Sequence, residues 1–290
     1  MEFPSYIQRQ SLINNALEKY FDEKHYPEIL FEAMKYSVSS GGKRMRSVLC
    51  LFAYELFKED YEKAIPTSIA IEFIHSYSLI HDDLPAIDND DLRRGMLTCH
   101  KKFGEDIAIL AGDALFAEAF KIITTIQEGS DKQIARVVKV LATATGPEGM
   151  VGGQVMDVLS EKSDIDISTL NYIHMNKTAK LIKASAIAGA VLGGAKEEDI
   201  ETVSKYAENL GMAFQITDDI LDITRSTEEL GKPAKSDIDK NKATYPSLVG
   251  LEAAKTKAEE HRAFAVDIID KIDKNKDLEK LAFYVTERRY

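Results

Sequence analysis

Apolar residues recur at intervals of three and four along almost the whole chain, in runs such as SLINNALEKYF, EILFEAMKYSV and SVLCLFAYELF. Runs that alternate apolar and polar residues between turn signals are hard to find. A period near 3.6 gathers the apolar residues of each segment on one face, and such faces are stable only when buried against other helices. The spacing therefore predicts an all-α protein, a single helical domain of roughly ten helices over residues 1–290. The prolines agree. Pro4, Pro27, Pro66, Pro147, Pro233 and Pro246 stand at or near segment edges, where a missing N–H and a fixed φ are tolerated. Only Pro85 interrupts a segment of special interest.

A chain of 290 residues, 44% of them hydrophobic and 29% charged, can bury a sizeable core. A formal charge of −11 argues against general nucleic-acid binding, which needs a basic surface, and leaves any anionic ligand dependent on local cations or metal ions. Cys50 and Cys99 lie far apart and form no CxxC pair, so the sequence suggests two reduced thiols rather than a disulfide or a zinc site. The longest apolar run, ASAIAGAVLGGA at 184–195, is too short to cross a bilayer. The N-terminal MEFPSYIQRQ lacks a basic segment followed by an apolar run, so no signal peptide is expected there and the expected location is cytoplasmic.

Two aspartate clusters carry the chemistry. In SLIHDDLPAIDNDDLRRG, residues 78–95, five aspartates fall within ten positions. His75 and Asp82 share a helix face, and Asp88 lies six residues beyond Asp82, which in a regular helix would point elsewhere. A bend at Pro85 is expected to bring Asp88 back beside Asp82. In GMAFQITDDILDI, residues 211–223, Gln215, Asp218, Asp219 and Asp222 follow an i, i+3, i+4, i+7 rule on one face, with Phe214, Ile216, Ile220, Leu221 and Ile223 opposite as core. A lone DDxxD is weak, and an acidic chain often carries such pairs on solvated faces. Two clusters about 135 residues apart on otherwise apolar helices are harder to explain as surface. Aspartate oxygens without cysteine suit a hard cation such as Mg²⁺, which keeps several waters and commonly shares its shell with phosphate.

Phosphate needs cationic partners, and SSGGKRMRS at 39–47 and LRRG at 92–95 supply Lys43, Arg44, Arg46, Arg93 and Arg94. Neither is a P-loop, since GxxxxGK[ST] is absent. The polar segment 224–244, with Lys232, Lys235, Lys240 and Lys242, reads either as a solvated loop or as a mobile lid.

The ordered set GGKRxR, HSYSLIHDDLPAIDNDDLRRG, CHKKFGEDIAILAGDAL, GGQVMD, NKTAKLI, FQITDDILD and KATYPSLVGLEAA resembles the short-chain trans-prenyltransferases, most closely the bacterial farnesyl diphosphate synthases, from about residue 30 onward. The resemblance implies an isoprenoid-synthase bundle around a central cavity that condenses isopentenyl diphosphate with dimethylallyl or geranyl diphosphate. By that resemblance Asp82, Asp88 and Asp218 would coordinate three Mg²⁺ ions, with Asp83, Asp219 and Asp222 in support. Lys43, Arg46, His75 and Arg94 would hold isopentenyl diphosphate. Arg93, Lys177, Lys232 and Lys242 would hold the allylic diphosphate, while Thr178 and Gln215 would face its reacting carbon. A homodimer is implied too.

Tyr77 and Ser78 stand about one helical turn, roughly 5.4 Å, ahead of Asp82, where a growing prenyl tail would meet them. A tyrosine there would obstruct growth beyond a certain length, and YSLIHDD resembles the farnesyl-making members, so the resemblance implies a fifteen-carbon product, farnesyl diphosphate. A geranylgeranyl synthase of the same fold and a non-catalytic partner subunit are the alternatives. A terpene cyclase needs no second diphosphate pocket, and a di-iron oxidase needs two Glu-x-x-His motifs where only Glu72–His75 fits. One position departs from the family pattern: Ser47 stands where proline usually follows GGKRxR, an acceptable first-turn residue that leaves the placing of Arg46 open.

Overall fold

Pro4 opens α1 (Pro4–Tyr20), Pro27 precedes α2 (Glu28–Ser39), and Pro66 lies in the first turn of α4 (Ile65–Asp82), which follows α3 (Met45–Glu55). Proline at these points removes only N–H groups that a helix start leaves unpaired. The structure is a computed structural model and describes residues 3–22, 25–161, 163–224 and 242–287. Beyond α4 come α5 (Cys99–Phe103), α6 (Glu105–Thr125), α7 (Asp131–Thr145), α8 (Met150–Ser160), α9 (Ile167–Ile173), α10 (Lys180–Gly193), α11 (Glu197–Thr224), α12 (Tyr245–Val249), α13 (Leu251–Ile269) and α14 (Asp277–Thr286). The all-α expectation holds, with more short helices than the periodicity separates.

One pair of two-residue strands, β1 (Leu92–Arg93) and β2 (Met96–Leu97), runs antiparallel between α4 and α5. Its turn residues Arg94 and Gly95 have φ of 55° and 77°. Positive φ at both central positions gives the backbone twist that closes a two-residue hairpin.

The apolar run at 184–195 becomes α10, the centre of the bundle, packed on α3, α7 and α11. Its small residues let neighbours approach: a Cβ at Gly189 would collide with the Cys50 carbonyl of α3. Leu181, Ile182, Ala186, Ala188 and Ala190 are fully buried, and burying each large aliphatic side chain among them contributes about 1.5–3 kcal/mol. On either side of this centre α4 packs against α6 and α3, and α11 packs against α10 and α13. The two aspartate-bearing helices are thereby held by the same core. Cys50 and Cys99 are both buried and free, as the sequence suggested. Among the described residues no helix is long and apolar enough to cross a membrane.

Candidate active site

The first aspartate cluster is shaped by how α4 stops. Pro85 offers no N–H, and the ladder ends at Asp82 rather than continuing through a bend, so the expected kinked helix is corrected to a terminated one. The chain then wraps back: the Ile87 and Asn89 amides both donate to the Leu84 carbonyl, at 2.9 and 3.1 Å. In the same turn the Asp88 amide donates to the Asp82 carbonyl at 2.9 Å. The six-residue spacing thus brings Asp88 beside Asp82, as expected, through a different backbone path.

Asp82 opens onto a cavity of about 650 Å³. From α4 it is lined by His75, Tyr77, Ser78 and Asp82, and from the hairpin by Arg93 and Arg94. Arg46 comes from α3, Lys177 and Thr178 from the turn before α10, and Gln215 and Asp218 from α11. Met150, Val151, Val155, Val158 and Leu159 of α8 make an apolar wall. Phe214, expected as core, also lines the cavity, while Ile216 is buried with Leu170, Tyr245 and Ala254.

Lys177 and Thr178 are presented by a π-helical turn, His174–Ala179, that links α9 to α10. Such a turn carries an extra residue and re-aims its side chains, a device common at functional sites. The Thr178 hydroxyl donates to Gln215 Oε1 at 2.7 Å, tying the turn to α11. Gly153 of α8 makes room for it, because a Cβ there would collide with the Lys177 backbone. The four polar residues of α11 do not play one part. Gln215 and Asp218 line the cavity, whereas Asp219 accepts the Tyr245 amide at 2.9 Å and lies 3.4 Å from His174 Nε2. Asp222 is buried.

The charges in and around the wall are held by defined partners. Arg93 grips the buried Asp83 carboxylate through Nε, at 2.9 and 2.8 Å, and through Nη2 at 2.5 Å. Lys242 Nζ lies 3.0 Å from Asp88 Oδ1 and 3.3 Å from both Asp157 Oδ2 and Glu161 Oε1. Lys177 Nζ meets the same Asp157 oxygen at 2.7 Å. Burial works against the Asp157 charge, yet the amines of Lys177 and Lys242 hold its carboxyl below the usual range. Asp157, which joins Lys177 to Lys242, is a residue that the reading of the sequence did not assign. Its signal was the GGQVMD motif, in which it follows Gly153 by one helical turn. Lys43 immediately precedes the buried N-cap residue Arg44 and is not on the cavity wall. Lys232, Lys235 and Lys240 lie outside the described residues.

Electrostatics divides the cavity. Burial, with help from Asp88 and Asp83, pushes Asp82 up to about 6 against the pull of Lys177 and Arg93. Burial and the surrounding Arg46, Arg94, Arg93 and Arg44 hold His75 well below the usual histidine range, so it is a neutral donor at neutral pH. Burial draws Arg46 down to about 10 against the attraction of Glu72 and Asp218, which leaves it a full cation. Arg94 reaches the Gly41 carbonyl, and Gly42, at φ 122°, leaves the space its guanidinium occupies. The glycines of GGKR thus serve the fit of an arginine.

A cavity lined by carboxylates and cations together with an apolar α8 wall fits a substrate with an anionic head and a hydrocarbon tail. The model of the family described as polyprenyl synthetase matches residues 27–285. The chain belongs to the polyprenyl synthetase family. It is a prenyltransferase, and relatives of two product classes are similar to it. The chloroplastic geranylgeranyl pyrophosphate synthase of Catharanthus roseus is 45% identical over 99% of this chain and 82% of its own length. The farnesyl diphosphate synthase of Bacillus subtilis (strain 168) is 46% identical over 93% of this chain and 92% of its own. Among solved structures, the geranylgeranyl pyrophosphate synthetase of Pyrococcus horikoshii Ot3 superposes with a TM-score of 0.87 at 31% identity, covering 97% and 96% of the two chains.

The polyprenyl synthetase fold implies Mg²⁺, and the donors fit such an ion by type: the acidic groups about the cavity offer oxygen alone. Among the described residues no three acidic, imidazole or thiol groups converge closely enough to hold a metal by themselves.

Proposed function

We propose that this polyprenyl synthetase condenses isopentenyl diphosphate with dimethylallyl and then geranyl diphosphate and stops at farnesyl diphosphate. The observation that carries the reading is one cavity with Asp82 and Asp218 at its polar end and Tyr77 set into its wall a turn away. Tyr77 is 8% exposed. Its ring packs edge-on against Phe116 of α6 at 4.8 Å and against His81 at 5.8 Å, so a tail that reaches it meets a ring already braced from behind.

In this reading Asp82, Asp88 and Asp218 would hold Mg²⁺, with Asp83, Asp219 and Asp222 in support. Bound Mg²⁺ supplies neutralisation of the charge that grows on the departing diphosphate. Lys177, Lys242, Lys232 and Arg93 add cationic hydrogen bonds to that same allylic diphosphate. Arg46, Arg94, His75 and Lys43 orient isopentenyl diphosphate, His75 as a neutral N–H donor. The allylic C–O bond breaks first. The double bond of isopentenyl diphosphate then attacks the cationic carbon, and the proton lost afterwards passes to the released diphosphate. Thr178 spends its proton on Gln215, so the lone pairs of its hydroxyl are free to face positive charge. The apolar α8 wall keeps water, which would quench the cation, out of the cavity. A homodimer belongs to the same proposal; the exposed apolar residues Ile109 and Leu110 of α6 are surface that a second copy would cover.

Product chromatography of the wild type and Tyr77→Ala tests the length assignment. The wild type gives a fifteen-carbon diphosphate and the variant products of twenty carbons or more. A twenty-carbon product from the wild type, or an unchanged product from the variant, contradicts it.

A further inference from the structure

The departure at Ser47 has a structural partner. Ser47 is fully buried, and its hydroxyl makes no capping bond on α3. It lies 2.7 Å from Glu72 Oε1 and 2.8 Å from the Ser68 carbonyl, both on α4. The other carboxylate oxygen of Glu72 accepts from Arg44 Nη1 at 3.1 Å. Glu72 is itself only 2% exposed. Arg44 is fixed in turn, by Nη2 to the Val38 carbonyl at 2.8 Å and by Nε to Asn14 Oδ1 at 3.0 Å.

One buried carboxylate therefore accepts from residues 44 and 47, which bracket Arg46 on both sides at the first turn of α3. Arg46 lines the cavity, and its buried Nε has no hydrogen-bond partner. A buried donor left without a partner is costly, and an anion that enters beside it recovers that cost. The direction of such a donor depends on the backbone on which Arg46 stands, and both ends of that backbone are tied to Glu72.

We propose that Ser47 and Glu72 are positioning residues for the isopentenyl diphosphate pocket: the Ser47 hydroxyl and the Arg44 guanidinium clamp the first turn of α3 to the Glu72 carboxylate and so fix where Arg46 meets the diphosphate. Glu72 also stands among Arg44, Arg46 and Arg94 as a buried anion, offsetting their mutual repulsion when no diphosphate is bound. The clamp is built into the interior, so it acts through Arg46 and does not touch substrate. The proposal rests on the assignment of Arg46 to isopentenyl diphosphate made above.

Steady-state kinetics with each substrate varied in turn tests it. In Ser47→Ala the KM for isopentenyl diphosphate rises about ten-fold, the scale of one hydrogen bond to a charged group. The KM for the allylic diphosphate stays within about two-fold, and kcat changes little, as expected when one substrate's binding is loosened. Ser47→Cys keeps the volume with a weak donor, falls between the two, and carries the test if the alanine variant does not fold. A parallel rise in both KM values, or no rise in either, overturns the positioning role. A wild type that incorporates no isopentenyl diphosphate at all would instead overturn the proposed function, and the two failures are distinct.

Discussion

Asp82 is a carboxylate whose neighbours keep it protonated further up the pH scale than an aspartate in water. Burial first, and Asp88 and Asp83 after it, push its pKa from 3.8 to about 6. Between these values the folded protein holds a proton that the unfolded chain has released, so folding stability tied to Asp82 is present below pH 4 and is lost as pH rises through about 6. Asp82→Asn carries no such proton. Thermal or urea unfolding without metal is therefore expected to show the variant gaining on the wild type across that window, by at most about 3 kcal/mol, and levelling off above it. Parallel curves at every pH would show that Asp82 has an ordinary environment. Which residues would gather at one site was the most legible part of the sequence. Asp82, Asp218, Arg46, His75, Lys177, Thr178 and Gln215 all reach the cavity wall as expected. The pairings were not legible, because the grip of Arg93 on Asp83 and the sharing of Asp157 by Lys177 and Lys242 depend on side chains from elements far apart in sequence.

The elements that deliver these residues were readable where local chemistry decides them. Prolines at 4, 27, 66 and 246 open helices, and the period of α10 and α11 survives intact. The spacing did not separate a bend from a stop at Pro85, since both restore Asp88 to Asp82; the amide at 88 settles it by returning to the carbonyl at 82. The π-helical turn at His174–Ala179 had no signal in composition or period, because its extra residue is set by packing against α8 and α11. Gly153 is where that packing is tightest. Gly153→Ala must push α8 from the Lys177 backbone, and overpacking of this kind costs about 1–3 kcal/mol. A melting temperature lowered accordingly, together with a fall in kcat of at least about ten-fold as Lys177 and Thr178 move, is the expected result. A variant with wild-type kcat would show that the turn does not depend on this contact.

For the molecule as a whole, one core fixes the two aspartate helices on either side of a single cavity, and polarity runs across that cavity from carboxylates and cations to an apolar wall. Net charge does not decide the ligand at this scale: a chain at −11 still concentrates Arg46, Arg93, Arg94 and Lys177 on one cavity wall. The fold and the family follow from patterns spread along the chain, whereas the bracing of Tyr77 by Phe116 shows only in the packing of α4 against α6. In the proposed function, metal and diphosphate together complete this site. Incubation with labelled isopentenyl diphosphate and dimethylallyl diphosphate, with Mg²⁺ and with EDTA, tests it most directly. Label passing into a fifteen-carbon allylic diphosphate with Mg²⁺, and none with EDTA, is the predicted result; no incorporation with Mg²⁺, or equal incorporation in both, would contradict it.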